Sequence, residues 1–276
     1  MDKKEQEKRL DYLLKEFKED SVQYRDLQVG DTYQDKRMLL RSLMNIRMPK
    51  YMDLDILKVQ DEFLTEEAKE KGIVTLEEIP DIKEQYGSTQ PFADRISLWQ
   101  GDITRLAVDA IVNAANSQML GCFVPCHRCI DNAIHSAAGI QLRQECSRIM
   151  RHQGHEEETG KAKITKGYNL PCKYVLHTVG PIVYGTLRER DCQLLRSCYR
   201  SCLELAKESG LESVAFCCIS TGEFHFPNDK AAEIAIETVA DFMKTDDSIR
   251  RVIFNVFTDK DLAIYRQLLV CGLESS

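Results

Sequence analysis

The stretch SVAFCCISTGEFHFPNDKAAEIAIETVADFM (213–243) decides the fold class. Its first seven residues, 213–219, form a near-continuous apolar run, which is typical of a β-strand buried on both faces of a sheet. A Ser-Thr-Gly turn follows, and a helix is predicted over 229–244, with Asn228 and Asp229 at the position of an N-cap. A buried strand, a short loop and a helix in this order are typical of an α/β domain.

The same alternation continues over the rest of the chain from residue 95. Further strands are predicted at 95–100, 109–114, 161–167, 174–179 and 251–257, and further helices at 131–151, 190–209 and 259–270. This pattern predicts a three-layer α/β/α domain with a mixed, mostly parallel sheet. Ligands of such domains bind beyond the carboxyl ends of the strands, so the loops 100–104, 113–131 and 219–227 are the candidates for a site.

Residues 1–90 contain no cysteine and show helical periodicity. A first helix buries one face, a second spans 35–47 and ends before Pro49, and a third runs from about Asp53 to Lys71, with Gly72 as its stop. The predicted apolar positions are Leu10, Leu13, Leu14 and Phe17 in the first helix and Leu54, Leu57, Phe63 and Leu64 in the third. We interpret 1–90 as a helical N-terminal extension packed against a domain that spans 91–271.

Composition excludes several classes of protein. The 276 residues carry a net charge of −7 and a pI near 5.5, which argues against a dedicated nucleic-acid binder or a polybasic membrane-surface protein. No apolar run approaches the roughly 20 residues that span a bilayer, and the charged start MDKKEQEKRLDYLL lacks the apolar centre of a signal peptide. We therefore expect a cytoplasmic protein, whose eleven cysteines are reduced thiols rather than disulfides.

Each of the three candidate loops carries residues that suit a ligand, and each has a purely structural alternative. Asp102 in WQGDIT (99–104) can accept a hydrogen bond from a ligand amine or simply close a turn. Asn113 and Asn116 in NAANSQML (113–120) suit ribose hydroxyls or cap their own turn. The backbone amides of ISTGEFHFP (219–227) can cradle phosphate, although no Walker lysine is present.

Taken together, WQGDIT, NAAN, TGKAKITKGYNLPCKYVLHTVGP (159–181) and ISTGEFHFP resemble, in order and spacing, the macrodomain family of ADP-ribose-binding modules. The resemblance covers about residues 92–270. It implies that Asp102 holds the adenine amine beside the backbone of Ile103 and that Asn116 contacts the distal ribose. It also implies that the pyrophosphate is wrapped by Ser220, Thr221, Gly222, Glu223 and Phe224. The sequence departs from the family pattern at His225, where a glycine is usual.

A second departure lies in GCFVPCHRCIDNAIHSAAG (121–139), where cysteines and a histidine replace the usual glycine-rich run while Asp131 remains. This variant resembles the zinc-containing macrodomains of bacteria, which also carry an N-terminal helical extension. If all of Cys122, Cys126, His127 and Cys129 bind one ion, the site is closed and structural, whereas three ligands leave a position open for chemistry. Neighbouring side chains of an extended loop point to opposite sides, which favours Cys122, His127 and Cys129 as the zinc ligands.

The loop leads directly to Asp131, so the ion is expected beside the distal ribose. Zinc there could polarise the glycosidic oxygen or acidify a water, and Asp131 could orient that water or act as base. The resulting hypothesis is a zinc-dependent hydrolase, with Asp131 and Asn116 as catalytic residues, that removes mono-ADP-ribose from Asp or Glu side chains. The resemblance also implies a lipoyl-carrier protein modified by a class M sirtuin as the substrate. The alternatives are an ADP-ribose reader with a structural zinc and, third, a scaffold whose helices bind a partner.

Overall fold

The computed structural model describes residues 3–271 and contains an N-terminal group of helices followed by an α/β domain. The helices are α1 (Lys3–Glu19), α2 (Tyr33–Ile46), α3 (Leu54–Lys71), α4 (Ile82–Tyr86), α5 (Ile130–Ala138), α6 (Ile140–Gln153), α7 (Glu189–Glu208), α8 (Asn228–Met243) and α9 (Asp259–Cys271). The strands are β1 (Val74–Thr75), β2 (Ile96–Gln100), β3 (Leu106–Ala107), β4 (Ala110–Ala115), β5 (Ala162–Lys166), β6 (Tyr174–Val179), β7 (Ser213–Phe216) and β8 (Arg251–Val256). None of the described helices is long and apolar enough to cross a membrane.

The main sheet has six strands in the order β2-β8-β7-β4-β6-β5. Every neighbouring pair is parallel except β5 and β6, so the predicted mixed, mostly parallel sheet is confirmed. Helices α7, α8 and α9 pack side by side, and α5 and α6 form a second group against β4 and β5. The predicted strand 213–219 is too long, because pairing ends at Phe216 and the remaining residues enter the loop.

The predicted helix 131–151 is wrong in one respect, because it is two helices that meet at Gly139. Gly139 has a φ of +97°, a backbone conformation that residues other than glycine rarely adopt. A Cβ at this position would lie 2.8 Å from Nε2 of Gln60, a side chain of α3. Gln60 also accepts the backbone N–H of Ile140 through Oε1, at 3.1 Å. The N-terminal extension therefore caps the first turn of α6 in the α/β domain.

Two further details correct the sequence analysis. Neither Asn228 nor Asp229 caps α8, since Pro227 is the cap residue and the Asn228 amide donates to Asp261 Oδ1 at 2.7 Å instead. In α3, Phe63 and Leu64 are buried as expected, but Leu54 is 73% exposed because it begins the helix on its outer side.

The N-terminal helices have a hydrophobic core of their own. It contains the predicted apolar face of α1 together with residues of α2 and α3. Its buried members are Leu10, Leu13, Leu14, Phe17, Leu40, Leu43, Met44, Met52, Phe63, Leu64 and Ile140. Ile140 belongs to α6, so this core is continuous with the α/β domain rather than separated from it.

The N-terminal core yields a stability prediction. Leu13 is 0% exposed, so Leu13→Ala is expected to lower the free energy of unfolding by about 2–5 kcal/mol, through lost apolar contacts and a residual cavity. The matched control Leu54→Ala removes the same atoms from an exposed site and should change it by less than about 0.5 kcal/mol. Urea unfolding followed by circular dichroism measures both. Equal losses for the two variants would contradict the assigned core.

Candidate functional site

The loops that follow β2, β4 and β7 open at the same edge of the sheet, because these strands are parallel. The loop after β2 begins with Gly101 and Asp102, and the loop after β4 begins with Asn116. The loop after β7 extends to Pro227, immediately before α8. The three segments singled out in the sequence are thus brought to one side of the domain.

The loop after β7 presents backbone amides to this edge. No described residue accepts a hydrogen bond from the N–H groups of residues 221–224. The loop is shaped by Ser220 and His225, which have φ values of +66° and +56°. His225 therefore occupies the left-handed conformation for which glycine is best suited, and it does so as an exposed side chain. Gly180 lies so close to the Ser220 hydroxyl that any side chain at residue 180 would collide with it.

Side chains of this loop are partly engaged. Thr221 Oγ1 donates to the carbonyl of Cys218 at 3.1 Å, and the carbonyl of Phe224 accepts the N–H of Val183 at 2.9 Å. Phe224 is half-buried, while Gly222 and Glu223 are exposed. The amides and the exposed residues are the parts of this loop that remain available to a ligand.

Asp102 uses one carboxylate oxygen in the turn after β2. Its Oδ1 accepts hydrogen bonds from the Thr104 N–H at 3.0 Å and from Thr104 Oγ1 at 2.7 Å. Among the described residues, Oδ2 has no donor, so it is available to a ligand amine. Ile103 is buried and starts a short 3₁₀ turn. Both alternatives raised for Asp102, turn closure and ligand contact, are therefore compatible with its geometry.

The two asparagines of NAAN, Asn113 and Asn116, have different hydrogen-bond partners. Asn116 Oδ1 accepts from the N–H groups of Gln118 and Met119, both at 3.1 Å, and Nδ2 lies 3.3 Å from the carbonyl of Gly121. This is the turn-capping alternative, and it leaves one Nδ2 hydrogen for a ligand. Asn113 is fully buried, so the expectation that it offers its amide to ribose is wrong.

The loop between β4 and α5 brings three metal-binding residue types together. The ligand atoms of Cys122, His127 and Cys129 all lie within 4.8 Å of one another. Cys126 is outside this group, with its thiol 3.2 Å from Ser42 Oγ and 3.4 Å from the carbonyl of Met38 in α2. The expected reason for this separation is wrong, because Cys126 has a φ of +52° and lies in a turn rather than in extended chain.

Two thiols and an imidazole are a donor set that suits a zinc ion. His127 Nδ1 is buried and has no hydrogen-bond partner among the described residues, whereas Nε2 lies 3.7 Å from Glu223 Oε1. Burial raises the pKa of Cys129 to about 12, so only a cation beside the sulfur would favour its thiolate. The residues present therefore fit a metal ion, and the Glu223 contact joins this loop to the loop after β7.

Asp131 lies directly behind this loop, in the first turn of α5, and is 5% exposed. Its Oδ1 accepts from Asn113 Nδ2 at 2.8 Å and lies 3.5 Å from His135 Nε2. Burial raises the pKa of Asp131 to about 6, although the Asn113 hydrogen bond and the charge of Arg143 oppose this shift. The carboxyl is thus held in a fixed orientation by the sheet below it.

The hydrogen bonds continue inward from Asp131. Asn113 Nδ2 is 3.1 Å from His177 Nδ1, and His177 Nε2 is 2.9 Å from Thr165 Oγ1. Burial lowers the pKa of His177 to about 3 and that of His135 well below its usual range, so both rings are neutral. A ring nitrogen of His135, a ring nitrogen of His177 and Sγ of Cys146 also lie within 4.8 Å of one another.

Comparison with known proteins identifies the family. Residues 112–235 match the family model of the macro domain. A protein-ADP-ribose hydrolase of Treponema medium is 51% identical over 260 residues, which cover 94% of this chain and 96% of that protein. The chain belongs to the macro domain family. A protein-ADP-ribose hydrolase of Staphylococcus aureus (strain MRSA252) is 45% identical over 260 residues, which cover 94% of each chain.

Solved macro domains share this fold. The Trypanosoma brucei macrodomain in complex with ADP-ribose is 29% identical with a TM-score of 0.64, over 86% of this chain and 96% of that one. An Oceanobacillus iheyensis macrodomain is 37% identical with a TM-score of 0.58, over 62% of this chain and 88% of that one. The bacterial hydrolases thus align with the N-terminal helices as well, whereas the Oceanobacillus domain does not cover the whole chain.

Sequence reasoning missed several residues that shape the site of this macro domain. For Asn113 the sequence suggested a ribose contact or a turn cap, but not its hydrogen bond to Asp131, and Arg41, Asn45 and Arg143 were not singled out. Arg143 had a signal, because a basic residue between Leu142 and Cys146 interrupts the buried face of α6. Arg41 and Asn45 had none, since polar residues on a predicted surface helix are normal.

The buried histidines predict a loss of stability in acid. Unfolded His177 takes up a proton below about pH 6.5, whereas the folded residue stays neutral to about pH 3, so the stability present above pH 6.5 is lost as the pH falls. Between pH 7 and pH 5, protonation of His177 in the unfolded chain should lower the free energy of unfolding by about 2 kcal/mol. His177→Gln should remove that part of the pH dependence of urea unfolding. The control His152→Gln, at an exposed site, should retain it, and an unchanged slope in His177→Gln would refute the assignment.

Proposed function

We propose that this chain is a hydrolase that removes mono-ADP-ribose from modified protein side chains. The observation that carries the proposal is the convergence at one sheet edge of an amide-lined loop, a carboxylate with a free oxygen and the Cys122–Asp131 segment. The relatives named protein-ADP-ribose hydrolase support it, since they match nearly the whole chain. Complexes of related macrodomains with ADP-ribose support the ligand.

Different groups of the protein would contact the adenine end and the distal ribose end of ADP-ribose. Asp102 Oδ2 would accept a hydrogen bond from the adenine amine beside Ile103. The diphosphate would receive N–H groups from the loop Ser220–Phe224, because backbone amides in a tight turn form an anion-binding concavity. Asn116 would offer its remaining Nδ2 hydrogen to the distal ribose. In this order the ribose carbon that carries the protein side chain would lie toward the Cys122–Cys129 loop and Asp131.

Asp131 is the residue that we expect to move a proton in the reaction. Its carboxyl is oriented by Asn113, and a pKa near 6 leaves it largely ionised at neutral pH and able to act as a base. This carboxylate would accept a proton from a water as the water oxygen bonds to the ribose carbon. The bond from that carbon to the side-chain oxygen would break, and the Asp or Glu side chain would leave as its carboxylate. Aspartate- or glutamate-linked ADP-ribose is the substrate class we propose, because the resemblance to hydrolytic macrodomains implies an ester linkage.

We further propose that Cys122, His127 and Cys129 hold a zinc ion. When bound, the ion would supply Lewis acidity at the one coordination position that three protein ligands leave open. The protein's own contribution is to fix these ligands next to Asp131, with Glu223 facing His127 from the opposite loop. A lipoyl-carrier protein modified by a class M sirtuin stays an expectation from the resemblance, and a cytoplasmic location stays a prediction from the sequence.

Two observations favour a second candidate, an ADP-ribose reader. Asn116 is engaged in capping its own turn, and Asp131 is nearly inaccessible, as a carboxylate with a structural role would be. Incubation with an aspartate-linked ADP-ribosylated protein separates the two functions. Release of ADP-ribose that chelation abolishes supports the hydrolase, whereas tight binding of ADP-ribose in calorimetry with no release supports the reader.

The proposed ligand set predicts which cysteine is dispensable. Cys122→Ala, His127→Ala and Cys129→Ala are each expected to lose zinc and to reduce hydrolysis to background, with the fold retained because the core does not depend on this loop. Cys126→Ser should keep both zinc and most activity. Metal analysis and an ADP-ribose release assay measure these outcomes. Loss of zinc in Cys126→Ser would indicate a closed four-ligand site, and normal hydrolysis by the zinc-free variants would show the metal to be incidental.

Asp102 is expected to determine affinity rather than rate, because the proposed binding mode puts it at the adenine end. Asp102→Ala should weaken ADP-ribose binding about 10- to 100-fold, as loss of a charge-assisted hydrogen bond of about 1.5–3 kcal/mol implies. Asp102→Asn is the sharper variant, since its amide oxygen can still accept from Thr104 and preserve the turn. Calorimetry should show weakened binding for both. An unchanged dissociation constant in Asp102→Asn would disprove the adenine contact.

A further inference from the structure

The loop from Leu120 to Cys129 contains no helix or strand, although it carries the three proposed zinc ligands. A site on irregular backbone needs external support if its ligands are to be held within a fraction of an ångström. The structure contains that support, and much of it comes from α2 of the N-terminal extension.

Arg41 of α2 holds one end of the loop. Its Nε and Nη2 atoms donate to Asn132 Oδ1 at 3.1 and 2.7 Å, and Nη2 also donates to the carbonyl of His127 at 3.3 Å. Asn132 in turn donates through Nδ2 to the carbonyl of Val124 at 2.9 Å. One guanidinium from the extension therefore fixes the backbone at a proposed ligand and, through Asn132, the turn that precedes it.

Asn45, one turn further along α2, holds the middle of the loop. Its Oδ1 accepts the backbone N–H of Cys126 at 2.9 Å, and its Nδ2 donates to Ser136 Oγ of α5 at 2.9 Å. Asn45 is 1% exposed, so water does not compete for these bonds. Cys126 has the left-handed conformation noted above, and this hydrogen bond is available to stabilise it.

Arg143 of α6 connects the other end of the loop to the end of α2. It donates to the carbonyls of Leu120 and Cys122 on the loop, at 2.6 and 3.3 Å, and its charge lies 4.1 Å from the centre of the Phe123 ring. Its remaining donor, Nη1, is directed to three carbonyls at the carboxyl end of α2 and just beyond it. The loop is thus fixed near both ends and in the middle.

We propose that Arg41 and Asn45 are positioning residues for hydrolysis, and that the N-terminal extension is in this sense part of the active site. They touch no reacting atom, and they act by fixing His127 and Cys126 so that Cys122, His127 and Cys129 converge. The inference rests on the proposed function for its kinetic consequences only. Its structural consequence, an ordered loop, is measurable without zinc or substrate.

Arg41→Ala tests the proposal, with Arg37→Ala as the matched control. Arg37 lies four residues earlier on α2, and its guanidinium forms two hydrogen bonds to Glu67 of α3 rather than to the loop. Arg41→Ala should weaken zinc binding about 10- to 100-fold in competition with a chromophoric chelator, because loss of an outer-shell partner has effects of this size. It should lower kcat by a similar factor with little change in KM, and leave ADP-ribose affinity at the wild-type value.

Hydrogen exchange of the apo protein separates this inference from the proposed function. Peptides covering 120–130 should exchange faster in Arg41→Ala and Asn45→Ala than in wild type, with the sheet unchanged, whereas Arg37→Ala should leave them unchanged. Arg41→Lys should recover part of the protection, since one ammonium cannot serve both acceptors equally. Wild-type exchange in Arg41→Ala, or equal deprotection in Arg37→Ala, would overturn the positioning role. If wild type binds no zinc, the proposed metal site fails, and the exchange result alone decides the inference.

Discussion

The burial of one positive charge joins the loop that carries the proposed zinc ligands to the N-terminal extension. Arg143 is 4% exposed, and burial lowers its pKa to about 10. An uncompensated charge in such a place costs several kcal/mol, so the guanidinium must find acceptors. It finds them in backbone carbonyls, those of Leu120 and Cys122 on one side and those of Met44, Asn45 and Arg47 on the other. The loop and the end of α2 are held together because both satisfy the same cation.

A second consequence of burial is the polar chain beneath the site. Asn113 lies on β4, near the centre of the sheet, where its amide links Asp131 to His177. Burial keeps both histidines neutral, and His177 has a hydrogen-bond partner at each ring nitrogen. The orientation of Asp131 is thus determined by the sheet, whereas the loop in front of it is determined by the extension. Two independent parts of the fold meet at the carboxylate that we propose as the base.

The sequence was most informative where burial makes apolar residues recur at the spacing of a strand or a helix. The six strands of the sheet and the face of α1 that contains Leu13 follow from apolar patterning, which is a local property. The break at Gly139 and the left-handed turn at Cys126 were not predictable in this way, because each depends on a partner far along the chain, Gln60 and Asn45 respectively. Candidate ligands were found by residue type, but their geometry is set by residues that have no distinctive local pattern.

This difference bears on how the chain is divided. The sequence changes near residue 90 from helical periodicity to alternating strands and helices, but side-chain contacts cross this boundary. Ile140 of α6 belongs to the core of the extension, and Gln60 of α3 caps α6. Without the extension, Arg143 would lose three of its carbonyl acceptors and the Cys126 amide would lose Asn45. The core of the six-stranded sheet contains no residue of α1, α2 or α3, although Ile79 and Ile82, which follow α3 along the chain, belong to it. Helices α1, α2 and α3 therefore lie outside the core of the sheet, and α2 supplies hydrogen bonds to the loop. This is the relation expected of a part that serves the proposed chemistry rather than the fold of the sheet.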